Sequence, residues 1–327
     1  VVSGVVVIAE SHLAIHTWTE VCGARPAGGE RVEVLARDAL GGGERRLVAR
    51  AVVNAAGPWA DEVRRRLVCS LTPGAPDPPP LMRPSRGVHL IFPALTRGHG
   101  LLLTARSDGR VFFLVPFAGM SLVGTTEVEV PSPPRPADLR PDVDEIRYLR
   151  AELRRVLPQP AQMPVLAVTS GVRPLLAASG TVGEAPREHR VVEDGPIVTI
   201  AGGKYTTFRV MARDTLARVA ARLGRAGRPL HDPVEPLPRP LGPDHPVERL
   251  AEFAVESECA RRVEDVVRRR TRLWLTPDRG RVAAAEVAAV LARRLGWDEA
   301  RRRDELQRYH DALADEERLV RRAWEET

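Results

Sequence analysis

Lysine is almost missing from this 327-residue sequence: Lys204 stands alone, and the other 48 of its 49 Lys+Arg residues are arginine. An ammonium is a compact charge whose pKa moves readily, whereas a guanidinium is a planar fork that stays charged. A chain that writes Arg elsewhere yet keeps one Lys inside Gly202-Gly203-Lys204-Tyr205-Thr206-Thr207-Phe208-Arg209 points to a position where guanidinium will not serve. Aromatic residues are scarce too, at 4%, and no aromatic-interleaved basic stripe able to stack bases is present. The net charge of +6 does not gather in the Arg-dense tail, because Pro246 to Thr327 carries 18 Arg against 18 acidic residues. The excess is spread upstream, and nucleic acid is not the expected partner.

Cysteine is limited to Cys22, Cys69 and Cys259, odd in number and far apart. No Cys-x-x-Cys pair is available for zinc or disulfide exchange, so no metal site is expected and the setting is read as reducing and cytoplasmic. No run of 18 apolar residues exists, which excludes a spanning apolar helix. The sequence opens at Val1-Val2-Ser3-Gly4 without Met or a charged signal region, and is expected to be an internal piece of a longer polypeptide.

What is abundant is apolar residues, at 43%, enough to bury the cores of two or three domains. Short apolar runs, bounded by turn pairs such as Asp108-Gly109 and Asp194-Gly195, predict strands. They lie over 31–36, 47–54, 87–92, 111–115, 121–124, 165–169, 190–192 and 197–201. Helical spacing predicts helices over 59–67, 143–157 and 206–223. Proline-rich stretches at 73–84 and 131–141 read as loops, and the denser one at 229–246 as an interdomain linker. Beyond it the spacing predicts a small all-helical domain. Its run Arg268-Arg269-Arg270-Thr271-Arg272 follows Glu258, Glu264 and Asp265, so a solvated, salt-bridged face is favoured over a phosphate or lipid patch.

Five segments carry candidate chemistry. Val52 to Asp61 runs from an apolar strand through Ala55-Ala56-Gly57 into a helix, the kind of turn at which dinucleotides meet a sheet edge. Gly202 to Thr207 also joins strand to helix, but it is not a phosphate-binding P-loop. Tyr205 stands where Ser or Thr would hold magnesium, and Val198 where the first Gly is needed. A glycine pair, two hydroxyls and one movable cation suit the polar edge of a flat ring such as a flavin. Arg173, between Val172 and Pro174, is held on a rigid backbone suited to bidentate recognition of phosphate or carboxylate. Arg187 has the same capacity in a weaker context. His89, inside an apolar strand, reads either as a hydrogen-bonded core residue or as a base for an alcohol proton.

In this order the segments resemble the FAD-dependent, quinone-linked glycerol-3-phosphate dehydrogenase family, among the D-amino-acid-oxidase-like flavoproteins. The resemblance runs through VVNAAGPWADEV (52–63), RGVHLIFP (86–93), GRVFFLVPFAGMSLVGTTEVE (109–129), GVRPL (171–175), Arg187 to His189 and GGKYTTFRVMA (202–212). It continues through FAVESECARRVEDVVRRRTRLWL in the tail. Phe117 and Glu127 depart from the Trp and Asp usual in the family, and no Gly-x-Gly-x-x-Gly that would cradle the FAD pyrophosphate occurs.

The resemblance implies a mixed α/β FAD-dependent oxidoreductase body, incomplete at its N-terminus, with an antiparallel substrate-binding sheet and a helical C-terminal domain. The body is expected over 1–228, with 1–67 and 165–228 on the cofactor side and 68–164 on the substrate side. The linker takes 229–246 and the helical domain 247–327. It implies that Arg173 and Arg187 grip the substrate phosphate and that Lys204 lies near substrate and flavin. Gly202, Gly203, Thr206 and Thr207 are expected to face the flavin ring, Ala56 and Gly57 to line the cofactor, and His89 to meet the substrate hydroxyl. The implied reaction moves a hydride from C2 of glycerol 3-phosphate to FAD, with electrons passed to quinone at the inner face of a bacterial cytoplasmic membrane. Lys204 would stabilise the reduced flavin or act as the base. A related amine or amino-acid oxidase, and a non-catalytic piece, are the alternatives.

Overall fold

The computed structural model describes residues 4–9, 12–159, 162–177, 188–227 and 241–325. In chain order the strands are β1 (Gly4–Ala9), β2 (His12–Thr17), β3 (Thr19–Pro26), β4 (Val32–Asp38), β5 (Glu44–Ala49), β6 (Val52–Asn54), β7 (Ser85–Phe92), β8 (Leu101–Thr104), β9 (Val111–Phe117), β10 (Met120–Gly124), β11 (Val128–Glu129), β12 (Ala167–Arg173), β13 (His189–Asp194) and β14 (Ile197–Gly202). The helices are α1 (Ala60–Leu71), α2 (Val143–Val156), α3 (Phe208–Arg222), α4 (Val247–Glu258), α5 (Arg281–Leu295) and α6 (Glu299–Glu325). The described residues fall into two units. The first draws on Val1–Gly87, Glu127–Leu139 and Gly171–Glu235, the second on Val88–Thr126, Arg140–Ser170 and Pro236–Thr327.

The first unit is built on two three-stranded sheets, β3-β4-β5 and β13-β14-β6, beside the β1-β2 pair. In β4, Val32, Val34 and Ala36 are buried and alternate with the more exposed Glu33, Leu35 and Arg37, so one face is buried. The apolar run 47–54 was expected to be one strand and is two. Val48 and Leu47 pair antiparallel with β4, whereas Val52, Val53 and Asn54 pair parallel with Ile197, Val198 and Thr199 of β14. Composition alone does not show which neighbour a short apolar run will choose. All six residues of β14 are buried, as expected for a central strand covered on both faces.

In the second unit, β7, β10, β9 and β8 form an antiparallel sheet in that order, with β12 against β7. Strand residues Leu90, Phe92, Phe112 and Leu114 pack with Ile146, Leu149 and Leu153 of α2. Their spacing on α2 makes one apolar stripe, and each such fully buried side chain contributes roughly 1.5–3 kcal/mol. Asp142 caps this helix, its side chain accepting from the Asp144 N–H. A second core gathers Ala251, Ala254, Val263, Val266, Val287, Leu291, Tyr309 and Leu313 of the helical segment with Ile91 and Ala167.

Glu316 of α6 ties that helical segment to β12. Its carboxylate accepts from the Val168 N–H at 2.9 Å, from Arg279 at 2.8 Å and from Arg268 at 3.1 Å. The arginine run is ion-paired as expected, Arg268 with Glu316 and Arg269 with Asp265 and Glu264. It is not a solvated face: Arg268 and Arg269 side chains are only 21% and 28% exposed. Residues Asp265–Arg270 wind as a π-helical turn separate from α4, which stops at Cys259 in a left-handed cap.

Candidate functional site

In the first unit, the two strand-to-helix turns singled out in the sequence leave the same edge of one sheet. Because β6 and β14 run parallel and side by side, Ala55-Ala56-Gly57 and Gly202-Gly203-Lys204 both emerge at their carboxyl ends, the edge where open α/β sheets hold ligands. Asn54, nearly fully buried, holds this edge together. Its side-chain amide donates to the Ala60 carbonyl at 2.8 Å and to the Thr199 hydroxyl at 3.3 Å, while its own oxygen accepts from the Ala56 N–H at 3.3 Å. Gly57 takes a φ of 58°, and the space beside it is open.

The second turn is also left-handed, with φ of 76° at Gly202 and 85° at Gly203. Here glycine is needed for the chain itself. A Cβ at Gly202 would lie 2.5 Å from the Glu188 carbonyl and 2.7 Å from Leu176, and one at Gly203 would meet the Met211 thioether end at 2.6 Å. Lys204 follows in extended conformation and is exposed; its ammonium has no partner among the described residues. The Thr207 hydroxyl closes the turn, donating to the Lys204 carbonyl at 3.0 Å. Thr206 is exposed. The Tyr205 and Thr206 N–H groups open the helical segment without an acceptor among the described residues, the usual state of first-turn amides that meet solvent or ligand.

Helix α3 is mostly exposed and is held to the strands at several points. Met211 packs on Gly203, Asp214 pairs with His189 at 2.8 Å, and Arg222 donates to the Gly195 carbonyl at 2.9 Å. Only Thr215 of its 15 residues is buried. Tyr205 is 92% exposed, and its ring lies tilted 6.1 Å from that of Phe208, itself half exposed. An exposed aromatic pair therefore follows Lys204 directly in the chain.

Arg173 is tied to the same turn through its own backbone. It ends β12, and Leu176, three residues on, fills the space beside Gly202 and bridges to Met82. Asp61, in the first turn of α1, accepts from the Leu81 and Met82 N–H groups at 3.0 Å. Thus α1, residues 81–83 and the Arg173 segment form one tied cluster. The guanidinium of Arg173 reaches the Ser85 hydroxyl at 3.4 Å. Nearby in sequence, Arg83 grips Glu129 through two 2.7 Å bonds and holds that carboxyl below its usual range. Arg187 lies outside the described residues.

His89 belongs to the second unit, as a half-buried residue of β7 opposite Gly124 of β10. The structure thus gathers Ala56, Gly57, Gly202, Gly203, Lys204, Thr206 and Thr207 at one sheet edge, with Arg173 tied to it, and sets His89 on the other unit's sheet. Sequence reasoning overlooked Asn54, Asp61, Leu176 and Thr199. A polar Asn closing an apolar strand was the available signal for the first.

Residues 7–209 match the model of the FAD dependent oxidoreductase family. The chain belongs to this family. Residues 213–302 of this FAD-dependent oxidoreductase match the C-terminal domain of alpha-glycerophosphate oxidase. The chain is 38% identical over 200 residues to the mitochondrial glycerol-3-phosphate dehydrogenase of Rattus norvegicus, covering 58% of this chain and 26% of that protein. It is 29% identical over 343 residues to a probable mitochondrial glycerol-3-phosphate dehydrogenase of Dictyostelium discoideum, covering 86% and 52%. It therefore spans between a quarter and about half the length of these relatives. The fold is that of the Bacillus halodurans glycerol-3-phosphate dehydrogenase solved with FAD, at a TM-score of 0.67 and 20% identity over 92% of this chain and 68% of that one.

The residues present fit the ring end of FAD: exposed first-turn amides, the Thr206 hydroxyl and an ammonium without a partner among the described residues offer donors to a polar ring edge. Among the described residues, no helix is long and apolar enough to cross a membrane, and no cluster of His, Cys, Asp or Glu could hold a metal ion.

Proposed function

We propose that the protein oxidises sn-glycerol 3-phosphate at C2 to dihydroxyacetone phosphate with FAD, and passes the electrons to quinone while attached peripherally at the inner face of the cytoplasmic membrane. The observation that carries this reading is the shared carboxyl edge of β6 and β14, which presents the chain's one lysine on a turn tied to Arg173. Support comes also from the similarity to glycerol-3-phosphate dehydrogenases along most of the chain.

FAD, when bound, supplies the two-electron acceptor for the C2 carbon–hydrogen bond. The chain's own residues do the rest. Gly202, Gly203, Thr206 and Thr207 form the turn on which the ring edge rests, and Ala56 and Gly57 line the cofactor. Arg173 and Arg187 bind the phosphate dianion by charge-assisted hydrogen bonds. The His89 imidazole accepts the C2 hydroxyl proton as the carbon is oxidised. Lys204 adds positive charge where electron density builds during the oxidation.

The test is turnover by the full-length polypeptide. It should purify yellow and reduce a dye or quinone when given glycerol 3-phosphate, and Arg173→Ala should raise KM for this substrate at least tenfold. A colourless protein, or a yellow one that oxidises amines and leaves glycerol 3-phosphate untouched, would overturn the reading.

A further inference from the structure

A glycine whose φ lies outside the left-handed region calls for an explanation, and Gly124 at the end of β10 is one. A left-handed turn is not why it is glycine. Space is. A Cβ there would lie 2.7 Å from Cδ2 and 3.0 Å from Cγ of the His89 ring, and 2.8 Å from the Val88 carbonyl, far inside van der Waals contact. The His89 imidazole therefore lies against the bare Cα of Gly124, its register partner in the sheet.

Two residues further on, Thr126 clasps the residue that precedes His89. Its hydroxyl accepts from the Val88 N–H at 2.9 Å and donates to the Glu145 carboxylate at 2.6 Å, while its own N–H reaches the Val88 carbonyl at 3.4 Å. Thr126 and Glu145 are 3% and 5% exposed. Glu145 stands in the first turn of α2, where a carboxylate is favoured by the helix dipole. A buried hydroxyl used as donor and acceptor at once, against a carboxylate anchored on a helix, fixes its partner in position.

We propose that Gly124, Thr126 and Glu145 are positioning residues for His89: Gly124 sets where the imidazole lies, and the Glu145–Thr126 pair fixes the strand backbone that carries it. This rests on the reading of His89 as the group that takes the substrate proton. An alanine at 124 must push the ring aside by several tenths of an ångström or more, and displacements approaching 1 Å cost up to about 100-fold in rate. Val at 126 would free the Val88 amide, while Ser keeps both hydroxyl bonds.

The experiment is a double-mutant cycle in the full-length, flavin-loaded protein, with glycerol 3-phosphate and a dye acceptor. Gly124→Ala should lower kcat by about 10- to 100-fold with KM changed less than about twofold. The double variant Gly124→Ala/His89→Gln should be no slower than His89→Gln alone, because residues acting through one group are not additive. Thr126→Val should lower kcat in the same way and Thr126→Ser restore it. Full activity in Gly124→Ala, or losses that multiply with that of His89→Gln, would overturn the proposal while leaving the base assignment standing. Full activity in His89→Gln would instead remove the base assignment and this inference with it. If Gly124→Ala does not fold, the Thr126→Val and Thr126→Ser comparison, crossed with His89→Gln, decides by the same criteria.

Discussion

Asn54 and Thr199 meet across the parallel β6–β14 pair, amide to hydroxyl at 3.3 Å, with the same amide 2.8 Å from the Ala60 carbonyl. Both residues are essentially sealed from water, so these bonds hold two strands and the first turn of α1 in one arrangement. Asn54→Ala should lower stability by about 1–3 kcal/mol, the range for leaving a buried partner unmet. Urea unfolding followed by circular dichroism checks this, and an unchanged midpoint would show that the bond does not hold the edge.

The glycines of the two turns should separate by cause. Alanine at Gly57 meets open space and pays only for left-handed backbone, on the order of 1–2 kcal/mol. Alanine at Gly202 pays that and also collides with the Glu188 carbonyl and Leu176, adding roughly 1–3 kcal/mol. Gly203→Ala should fall between them, since the Met211 side-chain end can move aside. Thermal melts of the three variants should therefore rank Gly57→Ala above Gly203→Ala above Gly202→Ala, and any other order contradicts the assignment of close approach.

Much of this architecture was legible in the sequence for physical reasons. Helix α2 was legible because Ile146, Leu149 and Leu153 keep one stripe, and β14 because a short buried run between Gly195 and Gly202 admits little but a strand. The division of 47–54 into β5 and β6 was not, because partner choice is decided by residues about 150 positions away in β14. The glycine pair was read as room for a ligand, whereas its space is filled by Leu176 and Met211. A sequence shows that a Cβ is missing but not what occupies its place. Asp61 and Thr126 escaped notice because their importance lies in backbone amides they bind, which carry no side-chain signature.

Asp278 makes a pH-dependent contribution at the start of α5. Its carboxylate accepts from the Thr276 hydroxyl at 2.7 Å and the Val282 N–H at 2.8 Å, and these bonds hold its pKa below the usual 3.8. A depressed carboxylate contributes stability above its unfolded pKa and loses it as pH falls through the folded one. Asp278→Ala should thus cost about 1 kcal/mol near neutrality, the usual worth of such a helix-start residue. The penalty should fade in acid. Denaturant titrations of both proteins near neutrality and well below the ordinary aspartate range make the comparison, and a pH-independent difference would refute it.

Lys204 is exposed with no partner for its ammonium among the described residues, so fold stability gives no reason for this chain's single exception to arginine. Lys204→Arg and Lys204→Met should each leave stability within about 0.5 kcal/mol, as exposed substitutions do. Turnover should respond differently. A guanidinium keeps the charge but spreads it over a planar fork and cannot give up its proton, so Lys204→Arg should lower kcat/KM at least tenfold, about 1.4 kcal/mol of transition-state stabilisation. The pH–rate profile then separates the two roles open to the ammonium. A proton acceptor works only when deprotonated, so loss of the limb that falls toward acid in Lys204→Arg marks that role; an ammonium needed for its charge gives a limb that falls toward base, which the permanently charged guanidinium moves to higher pH. Undiminished turnover in Lys204→Arg, with loss in Lys204→Met, would mean that any cation serves here.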